Sequence, residues 1–233
     1  MKAMILAAGR GERMRPLTDI CPKPLLSVGG KPLIVWHIEH LARAGINDIV
    51  INHAHLGHKI EEALEHGNQW GVHIDYSAED EALETAGGIA NALPLLGDAP
   101  FLVVNGDIFC ELDYGTFCAR AITRITQGNL AHLALVDNPP HHPQGDFVLD
   151  ASSRLSRDGG SLLTFSGIGV YRPELFSGVP PGNKAKLAPL LLGAMDQGRI
   201  SGEHFHGRWE DVGTPERLTA LDVELRNANP QQA

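Results

Sequence analysis

The chain has 233 residues and carries 28 acidic against 19 basic side chains, a formal charge of −9. That length favours one large domain with ample material for a core, and so acidic a surface is unsuited to nucleic acid or anionic lipid. With 26 Gly and 15 Pro in a chain that is 43% hydrophobic, the composition excludes a low-complexity protein.

Lys2 to Leu6 reads as a buried strand that runs into a loop of Gly and Arg. Pro32 to Ala44 reads as a helix with Leu33, Ile34, Ile38, Leu41 and Ala42 at helical spacing, Pro32 in its first turn and Gly45 at its end. A strand over Asp48 to Asn52 follows, then a helix over His58 to His66 with Ile60 and Leu64 inward, stopped by Gly67. Next come a strand around His73 to Tyr76, a short helix from Thr85 to Leu93, and a strand from Phe101 to Asn105. This βαβ alternation predicts a mostly parallel sheet covered by helices on both faces, with ligands beyond the carboxyl ends of the strands.

A helix beginning after Asp113 and ending near Gln127 leads to a strand from Leu130 to Val136. Beyond it the rhythm changes. Asn138 to Gly145 is a loop of turn formers, and Asp146 to Arg157 reads as a hairpin or flap. Phe165 to Tyr171 and Ile200 to Phe205 have strand character, Lys186 to Gln197 and Pro215 to Arg226 helical character, and Asn227 to Ala233 is a polar tail expected to fray. No linker divides the chain. One domain over 1–226 is expected, with 1–136 mainly a nucleotide-binding half and 137–226 mainly a half for a second substrate. No apolar run approaches the ~18 residues of a membrane helix, and Ala3 to Ala8 is too short for a secretory h-region. Cys21, Cys110 and Cys118 are an odd set without CxxC spacing, which speaks against disulfides and structural zinc. A cytoplasmic protein with reduced thiols is expected.

The stretch LAAGRGERMRPLT, Leu6 to Thr18, leaves a strand with Gly9 and Gly11 two apart. Glycines there let backbone N–H groups approach phosphate oxygens, and Arg10, Arg13 and Arg15 add fixed positive charge. The chemistry is that of a polyanion site; the alternative is a tight turn with solvated arginines. Met14 stands where a dinucleotide fingerprint needs its third Gly, and no Gly-Lys-Ser/Thr follows to make a Walker A loop. Pro22-Lys23-Pro24 stiffens the backbone around one ammonium group, either a positioned cation or a lysine in a surface turn. Asp107 follows a buried strand where this architecture gathers ligands, and Asp211 ends the apolar side of Trp209-Glu210-Asp211-Val212-Gly213-Thr214. Carboxylates of this kind suit Mg²⁺ or serve as caps and turn residues. His53, His55 and His58 invite a metal reading that neither cysteines nor an HExxH spacing supports. Cys21 lies beside the cationic loop as a possible reactive thiol.

Together LAAGxGxRMxPLT, PKPL, a strand ending in GD and WxDxGT resemble the sugar-1-phosphate nucleotidylyltransferases, over nearly the whole chain. The resemblance implies a Rossmann-like three-layer α/β sandwich with a mostly parallel mixed sheet, the nucleotide-diphospho-sugar transferase fold. Leu6, Ala8, Gly9, Gly11 and Arg13 would then hold a nucleoside triphosphate, Arg13 and Lys23 would serve catalysis, and Asp107 and Asp211 would carry Mg²⁺. A sugar-phosphate oxygen, ionised at neutral pH, would attack the α-phosphorus in line and expel pyrophosphate, so no Ser-His or Cys-His pairing is needed. Position 12 is Glu where the family often has Ser or Thr, so Glu12 should point away, and Arg15 falls at a variable position. The chain stops near residue 233 without the β-helix of bifunctional members, so a single activity is expected.

Glu79 to Gly88, EDEALETAGG, resembles the segment that contacts the base, with Glu79, Thr85 and Gly87 as candidates; uracil and guanine stay equally open to its hydrogen bonds. Asn105 is a candidate for the sugar side. Asp137 to Phe147, Thr164 to Tyr171 and Lys186 to Leu191 resemble the short N-acetylmuramate-1-phosphate uridylyltransferases of cell-wall recycling. Gly145 and Asp146 would line the sugar pocket opposite Ser166 and Gly167. A cation, Lys184 or Lys186, would meet the lactyl carboxylate, unless both lysines are merely solvated. His141 and His142 sit on the flap. A mannose-1-phosphate guanylyltransferase is the rival within the family, and a non-catalytic nucleotide-sugar sensor or a Rossmann dehydrogenase the rivals outside it. The partners implied are small molecules, with no nucleic acid or membrane, and oligomeric state is open.

Overall fold

The first strand, β1 (Ala3–Leu6), alternates its side chains between two cores: Ala3 and Ile5 enter one hydrophobic cluster and Met4 the other. Period-two alternation of buried residues on both faces is what a central strand of a covered sheet requires. The computed structural model describes residues 1–228. Past β1 come the short helix α1 (Leu17–Ile20), a hairpin of β2 (Ser27–Val28) and β3 (Lys31–Pro32), and helix α2 (Leu33–Arg43). The hairpin was not expected. Its turn is Gly29-Gly30, both at positive φ, the conformation that two-residue hairpins demand.

Strand β4 (Asp48–His53), helix α3 (Gly57–Leu64), strand β5 (His73–Ala78), helix α4 (Glu84–Leu96) and strand β6 (Phe101–Asn105) complete the alternating half. Helix α4 outruns the expected stop at Leu93. Pro94 removes one donor near the helix end, and burial of Leu96 keeps the final turn in place. Then follow β7 (Ile108–Cys110), α5 (Tyr114–Thr126), β8 (Ala131–Val136), and the hairpin of β9 (Phe147–Leu149) and β10 (Leu155–Ser156). The chain closes with β11 (Leu162–Tyr171), α6 (Leu187–Asp196), β12 (Ile200–His204), β13 (Trp209–Asp211) and α7 (Pro215–Ala228). Asn227 and Ala228, expected in a frayed tail, extend α7; the rest of that tail lies outside the described residues.

Among the described residues nine strands form one mixed sheet, running β10-β9-β11-β6-β1-β4-β5, with β8 also on β11 and β12 on β8. β1 pairs in parallel with β4 on one side and β6 on the other. The chain leaves β1 in one direction and returns on the opposite flank, so a crevice opens beyond the carboxyl ends of β1 and β6. Helices α2, α3 and α5 supply one hydrophobic layer and α4 and α6 the other. A third cluster of Val28, Leu33, Phe109, Val212, Leu221 and Leu225 anchors α7 and the β7–β13 pair. The result is a three-layer α/β/α sandwich with a smaller appended ribbon.

Candidate active site

Register places Leu6, Asn52 and Asn105 side by side at the carboxyl ends of β1, β4 and β6. Beyond them lies a cleft of about 430 Å³ lined among others by Ala8, Gly9, Gly11, Arg13, Lys23 and Thr85. Gly11 has φ +68, and a Cβ there would stand 3.0 Å from Thr18 Cγ2. Only glycine adopts that backbone without strain. Thr18 in turn donates to Gly11 O at 2.9 Å. Arg10 and Arg15 are drawn off the cleft: Arg10 donates to Thr18 O and Asp19, and Arg15 pairs with Asp19 at 2.9 Å. Glu12 lies between the two, 3.8 Å from each, and still borders the cleft, where it was expected to point away. Of the three arginines in the loop only Arg13 lines the cleft, and it has no carboxylate partner among the described residues.

Lys23 sits in a 3₁₀ turn after Pro22 and is 6% exposed, with Nζ 2.7 Å from Asp107 Oδ2. Asp107 directly precedes β7, whose antiparallel partner β13 sets Asp211 opposite Ile108. Val212 N also donates to Asp107 O at 3.1 Å. Both acids therefore come to the mouth of one crevice. Beneath them His37 is wholly buried, one ring nitrogen 2.7 Å from Ile108 O and the other 2.9 Å from the Tyr114 hydroxyl. Burial lowers its pKa to about 4, so the neutral ring donates to Ile108 O and accepts from Tyr114, fixing the start of β7.

A second cavity of about 390 Å³ adjoins the first and shares Arg13, Asn105 and Asp107 with it. Its outer wall is the loop 138–145, the flap of this cavity, through Pro139, His141 and His142. His141 Nε2 reaches Asp211 Oδ2 at 3.2 Å, and Arg217 NH1 reaches both Asp211 Oδ2 and His141 Nε2 at 2.8 Å. Trp209 donates from Nε1 to Ser166 O at 2.8 Å. Each acid commits Oδ2 to a cation and leaves Oδ1 without a hydrogen-bond partner among the described residues. Two carboxylate oxygens free to face one crevice are a donor set that fits Mg²⁺, which takes one or two carboxylates and completes its shell with phosphates and water.

The nucleotidyl transferase family pattern matches residues 2–227 of the chain. The chain belongs to that family. It is 59% identical over 221 residues to an N-acetylmuramate alpha-1-phosphate uridylyltransferase from Neisseria meningitidis, covering 94% of this chain and 95% of the relative. A mannose-1-phosphate guanyltransferase from Schizosaccharomyces pombe is 30% identical over 224 residues, 92% of this chain and 61% of that one. A Bacillus anthracis protein crystallised with sucrose superposes with a TM-score of 0.83 at 24% identity, covering 98% of this chain and 96% of that one; at that identity the likeness speaks for the fold.

Several residues expected to line this nucleotidyl transferase's site have other work. Glu79 is buried and accepts from Asn52 Nδ2 at 2.6 Å and from Leu83 N at 2.8 Å, while Asn52 Oδ1 accepts from Ala7 N at 3.0 Å. It therefore braces the cleft floor instead of facing a base. Asn52 does line the cleft and was missed, although β4 and β6 both end an apolar run in Asn. Gly87 is turned from the cleft: a Cβ there would lie 2.3 Å from Asn183 O, so its bareness seats the chain at 183–185. Gly88 has the parallel duty toward Asn52 and Glu79. Glu84 and Thr85 do face the cleft, and Glu84 has φ +63, a strained conformation for a side chain with a Cβ.

Of the residues expected to meet a sugar, Asn105 and Ser166 line the second cavity, although the Ser166 hydroxyl is committed to Ala134 O at 2.7 Å. Gly145 and Asp146 do not line it. Gly145 has φ +67 and turns the flap against Leu162, and Asp146 accepts from Phe165 N while its other oxygen is 3.1 Å from His142 Nε2. They staple the flap from within. Lys184 is exposed and paired with Glu81, and Lys186 is exposed at the start of α6; neither lines a cavity. His53 and His55 turn to separate partners, Glu61 and Thr18 O, which disperses the suspected metal cluster. Partial burial pushes the Cys21 thiol up, away from the thiolate a reactive cysteine needs. Among the described residues no helix is long and apolar enough to cross a membrane.

Proposed function

We propose that this nucleotidyl transferase joins UTP to N-acetylmuramate α-1-phosphate, giving UDP-N-acetylmuramate and pyrophosphate in the cytoplasm, as a step in reusing cell-wall sugar. The 59% identity to the Neisseria uridylyltransferase over nearly both full lengths supports this substrate pair over mannose and GTP. The observation that carries the chemistry is that two cavities meet at Arg13, Asn105 and Asp107. Two phosphorylated substrates can then meet there in line, which is the geometry the transfer needs.

The first cavity takes the triphosphate, with backbone N–H groups of the Gly9 to Gly11 loop that lines it as donors to its oxygens. The second takes the sugar phosphate, whose attacking oxygen is already ionised, so no side chain has to remove a proton. Arg13, without a carboxylate partner among the described residues and facing both cavities, offsets the negative charge that gathers as the two phosphates approach. Lys23 is immobilised by its prolines and by Asp107, so its ammonium is placed before substrate arrives. Asp107 and Asp211 are the residues to hold Mg²⁺, which when bound supplies charge neutralisation and orients phosphate oxygens. With Lys184 and Lys186 outside the cavity, the polar side chains that wall it on the flap side are His141 and His142, with Arg217 behind His141. Residues 1–136 in this reading hold mainly the nucleotide and 137–226 mainly the sugar.

Pyrophosphate release measured over UTP and GTP against muramate, mannose and glucosamine 1-phosphates tests the assignment. Highest kcat/KM with UTP and the muramate is expected. Equal or better turnover of GTP with mannose 1-phosphate would overturn it, and binding of nucleotide sugar without turnover of any pair would favour the sensor.

A further inference from the structure

A second cluster of metal-binding side chains lies outside both cavities, at the root of the flap. Asp137 directly follows β8, His204 ends β12, and His206 comes two residues later. β8 and β12 pair in parallel with His204 opposite Leu135, and Phe205 N still donates to Leu135 O at 2.8 Å. In extended chain, residues two apart share a face, so the ladder brings 137 beside 204 and 206. His204 Nε2 is 3.0 Å from Asp137 Oδ1, and the two imidazoles stand with ring centroids 3.9 Å apart. One ligand atom from each of the three residues lies within 4.8 Å of the other two. The contact to Asp137 lacks hydrogen-bond geometry, which leaves His204 Nε2 buried and unpartnered among the described residues. A buried imidazole nitrogen in that condition calls for a partner.

We propose that Asp137, His204 and His206 form a binding site for a divalent transition metal of the zinc class, separate from the Asp107–Asp211 pair. Two imidazole nitrogens and one carboxylate oxygen are the donors of such ions, whereas Mg²⁺ takes oxygen almost alone. Tetrahedral bonds of about 2.1 Å require ligand atoms about 3.4 Å apart. Asp137 and His206 are exposed and free to close the remaining gap, with water in the open position. The location gives the ion a consequence. Asp137 precedes the flap residue Asn138, and His206 precedes β13, which carries Asp211. An ion there ties together the two segments that wall the second cavity.

The test uses the full chain without a purification tag, stripped with chelator and titrated with Zn²⁺ by calorimetry in millimolar Mg²⁺. Binding of one equivalent in the micromolar range or tighter is expected, together with a higher melting temperature. Asp137→Asn and His206→Ala should each weaken the affinity at least tenfold and abolish the thermal shift. Both side chains are exposed, and an unchanged melting temperature without zinc shows the variants folded. The double variant Asp107→Asn, Asp211→Asn should bind zinc as the parent does. No uptake, unchanged affinity in His206→Ala, or loss in the double variant would each overturn the proposal.

Discussion

The first cavity is floored by buried strand ends, whereas the second has an exposed loop for a wall, held by ionisable side chains. Leu6, Asn52 and Asn105 are set by strand register, and the Ala7–Asn52–Glu79–Leu83 chain of hydrogen bonds braces the floor under them. The flap depends instead on His141 to Asp211, His142 to Asp146 and Asp146 to Phe165 N. Those side chains are a fifth to two-fifths exposed, where an individual pair contributes at most about 1 kcal/mol. In the proposed reading a triphosphate common to many enzymes would be met by rigid geometry, and the sugar by a wall that can be reset without disturbing the sheet. Substitutions in the first region should thus cost far more than in the second.

The largest effect is expected at the seam between them. Lys23→Met keeps the aliphatic stem and removes the ammonium, and kcat should fall about a thousandfold, on the order of 4 kcal/mol of transition-state stabilisation. Steady-state kinetics with both substrates saturating reads this directly; a loss under tenfold would remove Lys23 from the reacting centre.

Acid should test the support beneath the rigid half. The His37 pKa is depressed from 6.5 to about 4 by burial, so the unfolded chain takes up the proton first as pH falls. Stability fully present above pH 6.5 is then lost progressively down to about pH 4, by on the order of 3 kcal/mol for this group. His40, also lowered to about 4 chiefly by burial, titrates in the same window. Urea midpoints between pH 7 and 4.5 should fall in the parent and fall less steeply in His37→Gln. Parallel slopes would mean that His37 is not held neutral.

A pair of glycines separates fold from function in the phosphate loop. Gly11→Ala meets both a positive φ and Thr18 Cγ2, and should lose about 1–3 kcal/mol of stability. At Gly9 a Cβ meets nothing within 4 Å and φ is not positive, so Gly9→Ala should melt like the parent yet raise KM for UTP, because the methyl group stands where phosphate must approach. Equal stability losses in both would show that the loop's glycines serve only the turn.

The same contrast explains what could be read in the chain beforehand. The Gly9 to Lys23 segment is legible because its chemistry is local: glycine spacing, cations and prolines act within a few residues of one another. Strands β7 and β13, three residues each, are too short to show a period, although the acids beside them were legible as polar residues ending apolar runs. Whether Gly87 or Gly88 faces the cleft depends on how α4 is rotated, and that is decided by the distant segment 183–185. Lys186 looked useful because a free lysine and a ligating lysine have the same letter. Gly145 and Asp146 follow the residues that wall the second cavity yet turn inward to Leu162 and Phe165 N, since turn residues satisfy nearby backbone first.

The smallest expected effect belongs to the flap. His141→Ala removes one of two contacts to Asp211 Oδ2 and leaves Arg217 in place, so the acid keeps a partner and the sheet is untouched. KM for the sugar phosphate should rise about fivefold, roughly 1 kcal/mol, with KM for UTP and the melting temperature unchanged. His141→Gln, whose side-chain oxygen can still accept from Arg217, should recover most of the loss. A rise in both KM values would mean that the flap also shapes the nucleotide cavity, and the division between a rigid half and an adjustable one would fail at the one residue that bridges them.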